Sequence, residues 1–239
     1  MSTITININN SGTVDIMSDN NGIKSNKTVS LQYFLSTFAS TYATFETPVM
    51  PNNCRKIIKS SNAELYIFEY PPSYRDIKYN NEVIKNVYCP RTIFAIKITG
   101  DSKKNFSKAC LWIADPITPF SMSMPLRNWH FNNYSFSYHG SSICWGSGQD
   151  TLNKILASDP SAYGSVFNLY MSLTFNDHLS AYVNLPSFLK IGSDPSIKGD
   201  QMYKICKSLE GAKFFPLDAV ELSTMTLAQV CTDFTAGKF

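Results

Sequence analysis

The 239-residue chain is 44% hydrophobic and 13% aromatic but only 16% charged, enough apolar material for one full core plus an appendage. Its net charge of +3 comes from scattered Lys and Arg with no basic stripe, so nucleic acid is not an expected partner. The six cysteines, Cys54, Cys89, Cys110, Cys144, Cys206 and Cys231, form no Cys-x-x-Cys pair, which removes the usual zinc and dithiol patterns, and no cofactor or metal is expected.

The first residues, MSTITININN, are polar and alternating, unlike a signal peptide, and no apolar run reaches the length of a membrane span. A cytoplasmic protein with free thiols and no membrane partner is expected. Residues 3 to 8 and 13 to 17 alternate Ile or Val with polar side chains around Asn9-Asn10-Ser11-Gly12, the pattern of a hairpin. Val29, Leu31, Phe34, Leu35, Phe38, Tyr42 and Phe45 then recur every three or four residues. They predict an amphipathic helix capped at Thr28 or Ser30 and ended before Pro48.

From Cys54 the period becomes two. Segments 54 to 59, 64 to 70, 91 to 98 and 109 to 114 are rich in Ile, Phe, Tyr and Trp and are separated by Ser60-Ser61-Asn62, Pro71-Pro72 and Gly100-Asp101. They predict an antiparallel meander of about four strands. Pro116, Pro119 and Pro125 then turn the chain into an extended connection up to Trp129. Beyond Gly148 the spacing is helical around Leu152, Ile155 and Leu156, around Val166, Phe167, Tyr170 and Met171, and again at 202 to 209 and 225 to 230. The expected fold is therefore α+β. A hairpin and helix occupy 1–50, a strand-rich domain with its first helices 51–180, and a helical extension packed on the core 181–239.

The chemistry is concentrated in Trp129 to Gly148, WHFNNYSFSYHGSSICWGSG. Its order is His130, Phe131, Asn132, Asn133, Tyr134, a turn at Gly140, then Ile143 and Cys144. That order resembles the ubiquitin-conjugating enzymes, in which His-Pro-Asn, an apolar residue and Tyr precede a glycine turn and an Ile/Val-Cys pair. Phe131 stands where that family has proline, Asn133 stands where it has Ile or Val, and the turn is longer. A wider stretch, roughly 28 to 180, is similar to the protein B family of the PRTRC cassette, a prokaryotic branch of the same superfamily. The similarity rests on the order TVSLQYFLSTFASTYATF, EYPPSYRDI, RTIFAIKIT, ACLWIAD, NNYSFSYHGSSICWG and FNLYMSLTFNDH.

The resemblance implies a ubiquitin-conjugating-like fold with Cys144 as the thioester-forming nucleophile, Asn132 as the oxyanion donor and His130 as a third catalytic residue, although an imidazole beside Trp129 and Phe131 also reads as a structural hydrogen bonder. Its partners would be a small ubiquitin-like protein and a ThiF-like adenylating protein. The same residues also fit a non-catalytic binding or virion-assembly module of that fold, because Cys144 lies between Ile143 and Trp145, the setting of a buried cysteine. His139 reads as a turn residue, and His178 in TFNDH as a side chain able to approach Cys144. Gly146-Ser147-Gly148 is too short to cradle a phosphate.

Overall fold

The computed structural model describes residues 2–9, 11–20, 23–35, 51–60, 62–100, 104–131, 134–135, 142–143, 145–176, 183–191 and 198–239. The chain divides into two compact units, Met1–Pro48 and Val49–Phe239. Both contain antiparallel sheets, and several helices follow in the second, so the fold is α+β.

The first unit is a three-stranded antiparallel sheet of β1 (Ser2–Ile8), β2 (Thr13–Asn20) and β3 (Ile23–Ser30). Register sets Ile6 opposite Ile16, and Val14 opposite both Ile8 and Val29, so the apolar residues share one face. The third strand departs from the sequence expectation, which began a helix near Thr28. Its stretch IKSNKTVS is largely polar, and pairing with β2 along all eight residues supplies what its side chains do not. The cap itself is found: residues 31–35 are helical, and Ser30 Oγ accepts a hydrogen bond from the Tyr33 amide at 3.1 Å. The expected continuation to residue 45 lies outside the described residues.

The second unit is built on a five-stranded antiparallel sheet in the order β10-β9-β8-β5-β4, made of β4 (Cys54–Lys59), β5 (Ala63–Tyr70), β8 (Thr92–Thr99), β9 (Asn105–Ala114) and β10 (Leu126–Asn128). The first four match the predicted apolar segments. The expectation of about four strands is nevertheless too low. β10 lies inside the proline-rich connection, and β6 (Ser73–Tyr79) and β7 (Glu82–Cys89) form a hairpin that joins the short parallel strand β13 (Thr174–Phe175) in a separate sheet. Charged residues alternate through YRDIKY and EVIKNVY, and they hide the hairpin from a search for apolar runs. Asn80, at φ 49°, takes the left-handed conformation its turn requires.

Alternation along the central strands makes two unlike faces. Tyr66, Phe68, Tyr70, Phe94, Ile96, Leu111 and Ile113 point to one side, where Tyr163, Phe167 and Tyr170 cover them. Leu65, Ile67, Ile93, Ala95, Cys110 and Trp112 point to the other, under Leu227, Val230 and Phe234 of the helix Leu227–Thr235. Each fully buried side chain of this size contributes about 1.5–3 kcal/mol through removal from water. The aromatic face carries the region that holds the candidate site.

Candidate functional site

Strand β10 delivers the site segment. It pairs with β9 through Leu126 to Ala114, Arg127 to Ile113 and Asn128 to Trp112. Its outer edge is closed by the chain near 221. The Asn128 amide donates to Glu221 O at 2.9 Å, the Ser223 amide donates to Leu126 O at 2.8 Å, and Arg127 Nη1 reaches Val220 O at 2.9 Å. Beside this closure, Val183, Asn184, Asp218 and Glu221 line a cavity of about 410 Å³.

Three consecutive aromatic residues follow, all sunk into the core: Trp129, His130 and Phe131. Trp129 Nε1 donates to the Tyr170 hydroxyl at 2.9 Å, which fixes the indole against the helix Val166–Ser172. Phe131 meets Phe175 edge to face at 5.4 Å between ring centres. Between them His130 is 0% exposed, and neither ring nitrogen has a hydrogen-bond partner among the described residues. Desolvation holds its pKa well below the ordinary histidine value, so the imidazole is neutral at pH 7.

After this anchor the short strands β11 (Tyr134–Ser135) and β12 (Ser142–Ile143) pair antiparallel, with Tyr134 opposite Ile143 and Ser135 opposite Ser142. Ile143 and Trp145 are both buried, and Trp145 packs edge-on to Phe106 at 5.6 Å. A 3-10 turn at Gly146–Gly148 leads directly into the helix Gln149–Leu156. Gly146 sits at φ +47°, a conformation that disfavours a side chain, and a Cβ on Gly148 would lie 2.6 Å from Leu173 Cδ2. Gly146 and Gly148 therefore serve the sharp descent into the helix.

Asn132 and Cys144 lie outside the described residues, as do His139 and His178. The structure describes the surroundings of the predicted site: the aromatic segment ending at Phe131, the β11–β12 pair, and the turn beginning at Trp145. It also characterises the competing thiols. Burial raises the pKa of Cys54 and Cys231, carries Cys206 well above its ordinary value and pushes Cys89 up to about 12. A thiol disfavoured as thiolate is a poor nucleophile, so none of these four is activated. Among the described residues no group of His, Cys, Asp and Glu has the arrangement of a metal site, and no helix is long and apolar enough to cross a membrane.

One polar constellation was not anticipated from the sequence. Glu69, on the less aromatic face of β5, is almost fully buried beside Arg91, which is 7% exposed. Arg91 Nε donates to Glu69 Oε1 at 2.6 Å, and Arg55 Nε donates to Glu69 Oε2. The far end of the Arg91 guanidinium donates to Asp115 O at 2.6 Å and to Thr118 O. The clamp thus fixes the loop between β9 and β10 that leads to the site. Its sequence signal is a single acidic residue inside the apolar run LYIFEY, which demands a partner without naming it. Comparison with protein-family models, curated proteins and solved structures gave no match, so the chemistry of the site rests on its own residues.

Proposed function

We propose that the chain carries a small ubiquitin-like protein as a thioester on Cys144 and passes it to an amine. The supporting observation is the order of elements around the motif. An antiparallel sheet and an extended connection come first, and the turn at Gly146–Gly148 and packed helices follow immediately after the Asn132 to Cys144 interval. That order resembles the one a ubiquitin-conjugating-like fold calls for, and this likeness is what supports the reading. In the loading step the Cys144 thiolate attacks the carbonyl carbon of the modifier's terminal acyl adenylate, and AMP leaves; a ThiF-like protein supplies that adenylate. In the transfer step a lysine amine attacks the thioester, the thiolate leaves, and the amine loses its proton to solvent. The Asn132 side-chain amide donates to the oxyanion formed in that attack. His130, buried and neutral, is a positioning residue that holds the chain entering Asn132.

The test is a reconstituted reaction with a ThiF-like adenylating protein and its ubiquitin-like modifier. Wild type should give an adduct cleaved by thiol reductant, and Cys144→Ala none. Asn132→Ala should load normally but transfer to an amine about a hundredfold more slowly or worse. Absence of any adduct while the modifier is demonstrably adenylated would overturn the reading.

A second reading, a non-catalytic binding or virion-assembly module of the same fold, is favoured by the burial of Ile143 and Trp145 on either side of Cys144. Limited alkylation of the native protein separates the two. Under the thioester reading Cys144 reacts before Cys54, Cys89, Cys206 and Cys231, whose thiols burial has raised. Under the binding reading it stays unmodified until denaturation.

A further inference from the structure

Among the described residues, His130 has both of its side-chain nitrogens buried without a hydrogen-bond partner. A neutral imidazole has one N–H to donate and one lone pair to fill, and here neither is satisfied among the described residues. Its surroundings are rings: Trp129 at 4.7 Å and Phe131 at 3.9 Å from its own segment, Phe215 edge-on at 4.7 Å, and Phe188 stacked at 6.2 Å with planes 19° apart. These rings come from three stretches of chain far apart in sequence. Phe188 rides on the five-residue helix Leu185–Leu189, and Phe215 sits in the turn before the 3-10 segment Leu217–Ala219. The box is therefore closed by two short C-terminal pieces lying over the strand that enters the candidate site.

We propose that His130 is an acid-operated latch, in which gain of a proton by its imidazole releases the Phe188 and Phe215 cover from the Trp129–Phe131 segment. Among the described residues the closed box gives neither ring nitrogen an acceptor. On its own segment the nearest ionisable group is Arg127, a cation engaged with Val220 O, which opposes a further positive charge. The helix Leu185–Leu189 contains no ionisable residue and is followed by Lys190. The Phe215 turn is flanked by Lys213 and by Asp218, a residue that lines the cavity beside Val183 and Asn184. Tyr170, bonded to Trp129, contributes a neutral phenol. Aromatic faces attract a cation, but less strongly than water solvates an imidazolium, so the proton is taken up once the box opens.

The sign follows from linkage. The closed state holds the His130 pKa well below its ordinary value, by desolvation alone. The opened segment titrates near the free-imidazole value, about 6.5. Above that pH neither state is protonated and closure keeps its full advantage. Below it only the opened state binds a proton, so the open fraction grows about tenfold per pH unit until the closed-state pKa is reached. The latch does not depend on the chemistry of Cys144, and its success or failure leaves the thioester reading untouched.

The experiment is hydrogen exchange followed by mass spectrometry on the full chain between about pH 7.5 and 5, above the range where ordinary carboxylates titrate, with rates corrected for intrinsic pH dependence. Peptides covering 126–131, 185–191 and 212–220 should lose protection about tenfold per pH unit below about 6.5, while peptides from β5 and β8 stay protected. His130→Phe should abolish the pH dependence, and His130→Leu provides the same test with a smaller side chain. His139→Gln and His178→Gln should retain it. The proposal is overturned if wild type and both His130 variants give the same profile, if the core strands open together with the cover, or if the His130 imidazole titrates near 6.5 in the closed protein by NMR.

Discussion

Glu69 and His130 lie in the same unit, both shielded from water, and they meet the problem of buried polarity in opposite ways. Glu69 is a charge taken out of water and fully answered, by Arg91 inside and by Arg55, whose side chain is half exposed, at the rim. His130 stays neutral and, among the described residues, is answered by aromatic contact alone. The first arrangement resists change in either partner because each charge would be stranded without the other. The second is cheap to remove and sensitive to acid. The Glu69 clamp fixes the loop after β9, and the His130 box guards the segment after β10, so the two devices hold the approach to the candidate site with very different robustness.

The largest expected effect comes from breaking the clamp on one side. Glu69→Ala strands the Arg91 guanidinium in the core, and urea unfolding should show a loss of about 3–5 kcal/mol. Replacing both partners with apolar residues, Glu69→Leu with Arg91→Met, should recover most of that loss. A single variant that unfolds at the wild-type midpoint would mean that the pair is solvated in solution and that the contrast with His130 is false.

The clamp also marks where sequence reading stops. The four main strands and most helices were legible because Leu65 to Phe68, Ile93 to Ile96 and Leu152 to Leu156 carry their period openly. The β6–β7 hairpin was not, because Tyr79 and Ile77 alternate with Lys78 and Asp76 and its apolar face is only half the pattern. β3 was not legible because IKSNKTVS is largely polar and its last residues overlap the helix signal expected from Thr28 or Ser30. In the candidate site, the order from His130 to Cys144 could be read as a motif, whereas Gly146 and Gly148 could be read only as too short for a phosphate cradle, and their part in turning the chain into the next helix could not. The aromatic box could not, because Phe188 and Phe215 lie far along the chain and nothing in their local context points back to His130. The same holds for Glu69 and Arg91, which β-pairing across a hairpin insertion brings together.

Two buried tyrosines sharpen the comparison at smaller scale. Tyr70 donates its hydroxyl to Gly164 O at 2.7 Å, whereas the buried Tyr79 hydroxyl has no partner among the described residues. Tyr70→Phe should cost about 1–2 kcal/mol, since it removes a hydrogen bond and leaves a buried carbonyl less satisfied. Tyr79→Phe should be neutral or slightly stabilising, because it deletes only an unmet polar atom. Thermal denaturation of the two variants side by side tests this, and equal losses would show that the partnered and orphaned sites do not differ as described.

The smallest effect is expected at Ile117, which is 86% exposed at the tip of the loop that Arg91 holds. The loop is fixed from below, by the two carbonyls that accept from the guanidinium and by an Asx-type bond from the Ile117 amide to Asp115 Oδ1 at 3.0 Å. None of these bonds uses the isoleucine side chain. Ile117→Ser should therefore change stability by no more than about 0.5 kcal/mol, despite removing a large apolar group. The loop should keep the same amide protection in exchange experiments. A loss above 1 kcal/mol, on the scale that a buried side chain gives, would mean that the side chain packs against the protein in solution. The order of the loop would then come from its own contacts, and the clamp would have a smaller share in it than its geometry implies.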